Sequence, residues 1–233
     1  MKILLIGSTG QLGREIIKSS PNDINLISPS RLEFDLNNTH ACYEYILNLS
    51  PDWIINSGAF TNVEKAETEQ ELAYKINALG PKILAKALSI SGGKLLQIST
   101  DYVFNGEQNS PYLPNHSLSP INTYGKTKAI AEGILADILG EENQLSILRT
   151  SWLISNGGKN FATKIMQLNA EKEELNVVCD QICSPTSSKS LSNAIWKLIE
   201  VNDQYSDLGK MFPRISQFTE NGIASWYDVA VAV

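Results

Sequence analysis

KILLIGSTGQLG, residues 2–13, is the stretch whose reading decides the fold. Lys2 to Ile6 is an apolar, β-branched run of one strand's length, and an amphipathic stretch from Gln11 to about Ser19 follows. Between them Gly7, Gly10 and Gly13 form a GxxGxxG turn. Glycines permit a tight turn and let a pyrophosphate approach the backbone, where a helix N-terminus offers unpaired N–H groups and the positive end of its dipole. In a strand–turn–helix setting the pattern points to dinucleotide binding.

Working outward, short β-rich runs alternate with longer helical ones. Strands are expected at Ile24–Ser28, Asp52–Asn56, Lys94–Ser99 and Leu145–Thr150. Helices are expected at Thr39–Leu49 (Thr39 as N-cap), Glu69–Ser91 with a break or kink at Gly80-Pro81, and Ile121–Leu139. Apolar strands alternating with helices mean βαβ units, hence an α/β, Rossmann-type, doubly wound parallel sheet covered on both faces. Beyond Thr150 the pattern gives helices at Asn160–Glu171 and Lys189–Val201, a short strand at Asn176–Cys179, and a helix-like run at Gly222–Val233 with Ser225 as N-cap. The division expected is an NAD(P)-binding domain over 1–150 and a smaller, truncated substrate-binding region over 151–233.

At 233 residues the chain has room for one full α/β domain and an appendage. Its net charge of -6 argues against a nucleic-acid partner, which wants a basic face, and an anionic substrate then needs a local basic pocket. No apolar stretch spans a bilayer, and Gly7 and Gly10 interrupt the N-terminal run too early for a signal peptide. A soluble, cytoplasmic protein without a membrane partner is expected. Cys42, Cys179 and Cys183 fit a reducing compartment, and with His40 and His116 remote from the cysteine pair no metal is expected.

The tip of the second strand, Ser28-Pro29-Ser30-Arg31, has no acid for a ribose 2′-hydroxyl but has a guanidinium for a 2′-phosphate. The cofactor expected is NADPH, with NADH as the alternative. Asp35 stands where it approaches the adenine or caps the next helix. Tyr124-Gly-Lys-Thr-Lys128 contains Tyr-x-x-x-Lys, whose i, i+4 spacing shares one helix face, whereas Lys126 has the wrong phase. A nearby ammonium is expected to lower the phenol pKa from about 10 toward a range useful for proton transfer. Ser99-Thr100-Asp101 ends the fourth strand, at the carboxyl edge where open α/β sheets bind ligands, and a hydroxyl there stabilises a substrate oxygen gaining charge.

GSTGQLG (7–13), NSGAFTNVEKAE (56–67), STDYVF (99–104), SPINTYGKTKAIAE (119–132), RTSWL (149–153), DQICSPT (180–186) and ASWYD (224–228) together resemble the dTDP-4-dehydrorhamnose reductase family, extended short-chain dehydrogenases. The resemblance implies that Tyr124 is the general acid, Lys128 its partner and Thr100 the hydroxyl polarising the carbonyl. It implies that Thr100 and Asp101 contact the sugar while Trp152 lines its pocket. It places Gly10, Gln11 and Leu12 around the pyrophosphate, Asp35 and Leu36 by the adenine, and Ala59, Phe60 and Thr61 on the cofactor's ribose side. Hydride transfer from NAD(P)H to the C4 ketone of a dTDP-6-deoxyhexulose is the reaction implied. Phe60 stands where members carry histidine, so its contacts are expected from backbone or apolar atoms. Members also extend beyond residue 233, through a segment that serves homodimer contacts in some of them, and 209–217 (GKMFPRISQ) departs from the family pattern. Two other readings stay open: an epimerase or reductase of another nucleotide sugar, and a non-catalytic NADP-binding regulatory subunit.

Overall fold

The structure is a computed structural model that describes residues 1–140 and 143–233. The chain runs β1 (Lys2–Ile6), α1 (Gln11–Lys18), β2 (Asn25–Ile27), α2 (Thr39–Leu49), β3 (Trp53–Asn56), α3 (Val63–Thr68), α4 (Gln70–Tyr74), a π-helical turn (Lys75–Leu79), α5 (Gly80–Ser91) and β4 (Lys94–Thr100). It continues with α6 (Thr123–Leu139), β5 (Leu145–Thr150), β6 (Leu153–Ile154), α7 (Phe161–Glu171), β7 (Ile182–Cys183), β8 (Thr186–Ser187), α8 (Ser188–Asp207), β9 (Ile215–Gln217), β10 (Ala224–Ser225) and α9 (Trp226–Val231). No helix among the described residues is long and apolar enough to cross a membrane.

Six strands form one parallel sheet in the order β2-β1-β3-β4-β5-β9. Period-two alternation splits its side chains between two cores. Leu4, Ile6, Ile54, Leu95 and Ile147 face α2, α5 and α6 through Ile46, Leu84, Leu88 and Leu135. Ile3, Leu5, Trp53, Leu96 and Leu148 face α1 and α8 through Leu12, Ile16, Leu191, Ile195 and Ile199. Burial on both faces explains why these strands read as unbroken apolar runs. The strand order reverses between β1 and β3, and the crevice beyond their carboxyl ends is the switch point where such sheets take ligands.

Several boundaries differ from the sequence reading. Asn38, not Thr39, caps α2, accepting from the Ala41 amide. Gly80-Pro81 opens α5 without a break, because Pro81 sits in its first turn and the preceding helix widens into the π turn instead. Asn176–Cys179 forms no strand; the β-branched pair there lies on an exposed rim, and Val178 only lends its carbonyl to the Tyr227 amide. The strand nearby is β7, paired antiparallel with β10. Helix α8 runs to Asp207, and residues 215–217 supply β9, the outermost strand beside β5.

Candidate active site

A cavity of about 640 Å³ opens at the carboxyl ends of β1, β3, β4 and β5. Its floor is the glycine turn. Gly7 has φ +82°, and a Cβ there would stand 2.6 Å from the Gly58 amide nitrogen, so only glycine lets the loops after β1 and β3 touch. No side chain caps Gly10, which leaves the first-turn amides of α1 facing the cavity. Gly10, Gln11, Leu12 and Gly13 line that floor, and Arg31, Asp35 and Leu36 line the far end. Arg31 is largely exposed, with its Nε 3.8 Å from an Asp35 oxygen. Asp35 caps no helix; it accepts from the Asn37 amide.

Ala59 and Thr61 line the side wall, but Phe60 between them does not. Its ring packs on the core beneath, and its peptide is clamped by fully buried Asn77, which donates to the Phe60 carbonyl (3.1 Å) and accepts from its amide (2.8 Å). Asn77 sits in the π turn and also donates to the Thr127 hydroxyl, which donates to the Tyr124 carbonyl. The loop after β3 and the helix of the Tyr-x-x-x-Lys pair are thereby tied through one amide.

Thr100, Asp101, Tyr124 and Lys128 come together across the cavity. Asn122 caps α6 by accepting from the Gly125 amide, which starts the helix at Thr123 and sets both tyrosine and lysine on its inner face. Thr100 Oγ1 donates to Asp101 Oδ1 (2.9 Å), whose other oxygen accepts from Cys183 Sγ at 3.4 Å. Burial pushes the Asp101 carboxyl above the usual carboxylate range. The Tyr102 ring meets Tyr124 edge-on at 5.7 Å.

The Tyr–Lys electrostatics differ from the sequence expectation. Lys128 Nζ donates to the Ile98 carbonyl at 2.6 Å. Burial, reinforced by Asp101 and opposed by a Thr100 hydroxyl contact, pushes the Tyr124 phenol up rather than down. Burial also lowers Lys128 to about 8, with Glu132 one turn further along α6 resisting the fall. The phenol therefore stays protonated at neutral pH, the form a proton donor needs.

Features unread in the sequence complete the walls. Glu132 and Arg149 form a buried ion pair (2.6 Å), and Glu132 also accepts from Ser99 at 2.5 Å, pinning α6 to β4 and β5. Glu132 lies four and eight residues beyond Lys128 and Tyr124 on one helix face, a spacing that could have flagged it. Thr150 Oγ1, paired in register with Thr100, is the buried side-chain oxygen left without a partner among the described residues. Trp152 lines the cavity, and Lys159, Phe161 and Trp226 join it from the second half. Gln11 turns its amide to that half, accepting from Ser155 Oγ (2.7 Å) and Asn160 Nδ2 (3.0 Å).

Comparison with known proteins places this geometry. The profile described as the RmlD substrate binding domain matches residues 1–233. The chain belongs to the RmlD substrate binding domain family. Among relatives of that family, the dTDP-4-dehydrorhamnose reductase of Escherichia coli K12 is 34% identical over 242 residues, covering 100% of this chain and 77% of the relative. A crystal structure of a dTDP-4-dehydrorhamnose reductase from Clostridium acetobutylicum superposes with TM-score 0.90 at 38% identity, covering 99% of this chain and 78% of that one. The Bacillus anthracis dTDP-4-dehydrorhamnose reductase, solved in complex with NADP, gives 0.88 at 33% identity, covering 99% and 79%. RmlD-family membership agrees with the resemblance carried by the motifs, and the shared fold with the expected Rossmann-type sheet.

Proposed function

We propose that this protein is an NADPH-dependent reductase that converts the C4 ketone of dTDP-4-dehydro-β-L-rhamnose to the alcohol of dTDP-β-L-rhamnose. The observation that carries the reading is the convergence of Thr100, Tyr124 and Lys128 on the cavity floored by the glycine turn. The fit for a dinucleotide rests on the uncapped amides of α1 and on the orphaned Thr150 hydroxyl in the same cavity. Arg31, together with the absence of an acid at the tip of β2, supports the 2′-phosphate form, as does the NADP complex of the Bacillus anthracis relative. In this reading residues 1–150 hold the cofactor and residues 151–233 supply the substrate-side wall, in a cytoplasmic enzyme.

When bound, the nicotinamide supplies the hydride to C4. Thr100 turns its hydroxyl from Asp101 to the substrate oxygen and stabilises the charge developing there. Tyr124 hands its proton to that oxygen, and the Lys128 ammonium stabilises the phenolate left behind. Gly10, Gln11 and Leu12 receive the pyrophosphate on backbone amides, Asp35 and Leu36 flank the adenine, and Ala59 and Thr61 the ribose. Phe60 contributes through its clamped peptide. Asp101 and Trp152 contact the sugar.

The test follows NADPH oxidation with dTDP-4-dehydro-L-rhamnose. Tyr124→Phe is expected to lower kcat by about 10²–10⁴-fold while leaving NADPH affinity intact. Near-normal turnover in that variant would overturn the assignment, and NADPH binding without turnover by the wild type would favour a regulatory subunit.

A further inference from the structure

Of the four tryptophans, Trp53 and Trp196 donate their indole N–H inside the fold, to Asp203 and Ser19. Trp152 and Trp226 make no such bond among the described residues, and both line the cavity. Their rings stack face to face, centroids 3.5 Å apart and planes 8° from parallel. Phe161 meets the Trp226 ring at 4.3 Å and 45°. Trp152 has φ +39°, a left-handed conformation that a bulky residue holds only when its surroundings impose it.

Two supports impose it. The Trp152 carbonyl accepts from the Thr186 amide, where β6 pairs with β8. The ring is held by Trp226, the first residue of α9, whose own position is fixed by a reciprocal cap between Ser225 and Asp228. Trp152 also stands two residues beyond Thr150, the register partner of Thr100, and lines the same cavity as Thr100.

We propose that Trp226 is a substrate-positioning residue: by stacking on Trp152 it fixes the indole wall against which the 6-deoxyhexulose ring packs. The inference rests on the reductase reading above. A deoxyhexulose offers a C–H face and a methyl group to an aromatic plane, while its hydroxyl oxygens can accept the two free indole N–H groups. Holding the plane before substrate arrives removes an ordering cost from binding, so the effect belongs in KM for the nucleotide sugar and not in cofactor affinity.

The experiment measures KM for dTDP-4-dehydro-L-rhamnose and Kd for NADPH in Trp226→Ala, Trp226→Leu and Trp226→Phe, with circular dichroism reporting the coupled indole pair. Ala and Leu are expected to raise KM about tenfold, equivalent to about 1.4 kcal/mol, and to lose the coupled-indole signal with NADPH Kd unchanged. Phe, which keeps an aromatic face, should recover most of the loss. Should Ala fail to bind NADPH, the Leu and Phe pair decides. Wild-type KM in Leu with intact NADPH binding would overturn the positioning role while the reductase reading stands. A wild type that binds NADPH and leaves the ketone untouched overturns the reductase reading and this inference with it.

Discussion

Lys128 is almost wholly buried, its ammonium rests on the Ile98 carbonyl, and burial brings its pKa to about 8. An unfolded lysine titrates near 10.4. Between those values the unfolded chain binds the extra proton, so the fold gains stability as pH rises from about 8 toward 10.4; below 8 the full cost of the buried charge is present. That cost is about 3 kcal/mol. Lys128→Met removes it, less about 1 kcal/mol for the lost hydrogen bond. The variant should therefore melt roughly 4–8 °C higher than wild type at pH 7 and lose turnover. The difference in Tm should shrink toward pH 10, and thermal melts across that range check it; a gap independent of pH would show that the ammonium is not the source. At this scale the sequence exposed the candidate side chains but not their ionisation. The i, i+4 spacing of Tyr124 and Lys128 was legible, whereas the Ile98 carbonyl that takes the ammonium comes from another element. Asn77 and Trp226 were hidden for the same reason, since each matters through partners 17 or more residues away, and the helical spacing of Glu132 gave no sign of its Arg149 partner.

The strand–turn–helix at the start of the chain separates two uses of glycine. A Cβ on Gly13 would lie 2.2 Å from the Gly7 carbonyl oxygen, and neither backbone atom can yield. A Cβ on Gly10 meets only that oxygen, at 3.2 Å, from an extended backbone of φ −72° and ψ 172°, and Gly10 itself lines the cavity. Gly13→Ala should lower Tm by several degrees, whereas Gly10→Ala should leave Tm within about 2 °C and weaken NADPH binding about tenfold. Equal losses of Tm in both would make the turn purely structural; melting curves and NADPH titrations together decide. Elements of this kind were readable because β1, β3, β4 and β5 bury both faces and so spell continuous apolar runs. β9 was not, being three residues long and only partly covered, just past Pro213. The Val177-Val178 pair misled in the other direction, since β propensity without a partner strand makes no ladder.

Across the whole molecule the charge is -6, yet the cavity carries Arg31, Lys128 and Lys159. An anionic cofactor thus approaches through a repelling far field and meets cations only at the end. Raising ionic strength from about 0.05 to 0.3 M shortens the screening length from about 14 to 6 Å, so kcat/KM for NADPH should rise. A fall across that series would mean the local cations already dominate the encounter. The two halves are also joined in construction: α8 covers the face of the sheet opposite α2, α5 and α6, and β9 lies along β5. Until residues 215–217 emerge from the ribosome, β5 keeps a bare row of amides and carbonyls, and Trp53 and Leu96 lack the cover of Leu191 and Ile195. The strands made first are thus sealed by residues made much later, a long-range closure that leaves the nascent sheet open to other chains until it is complete.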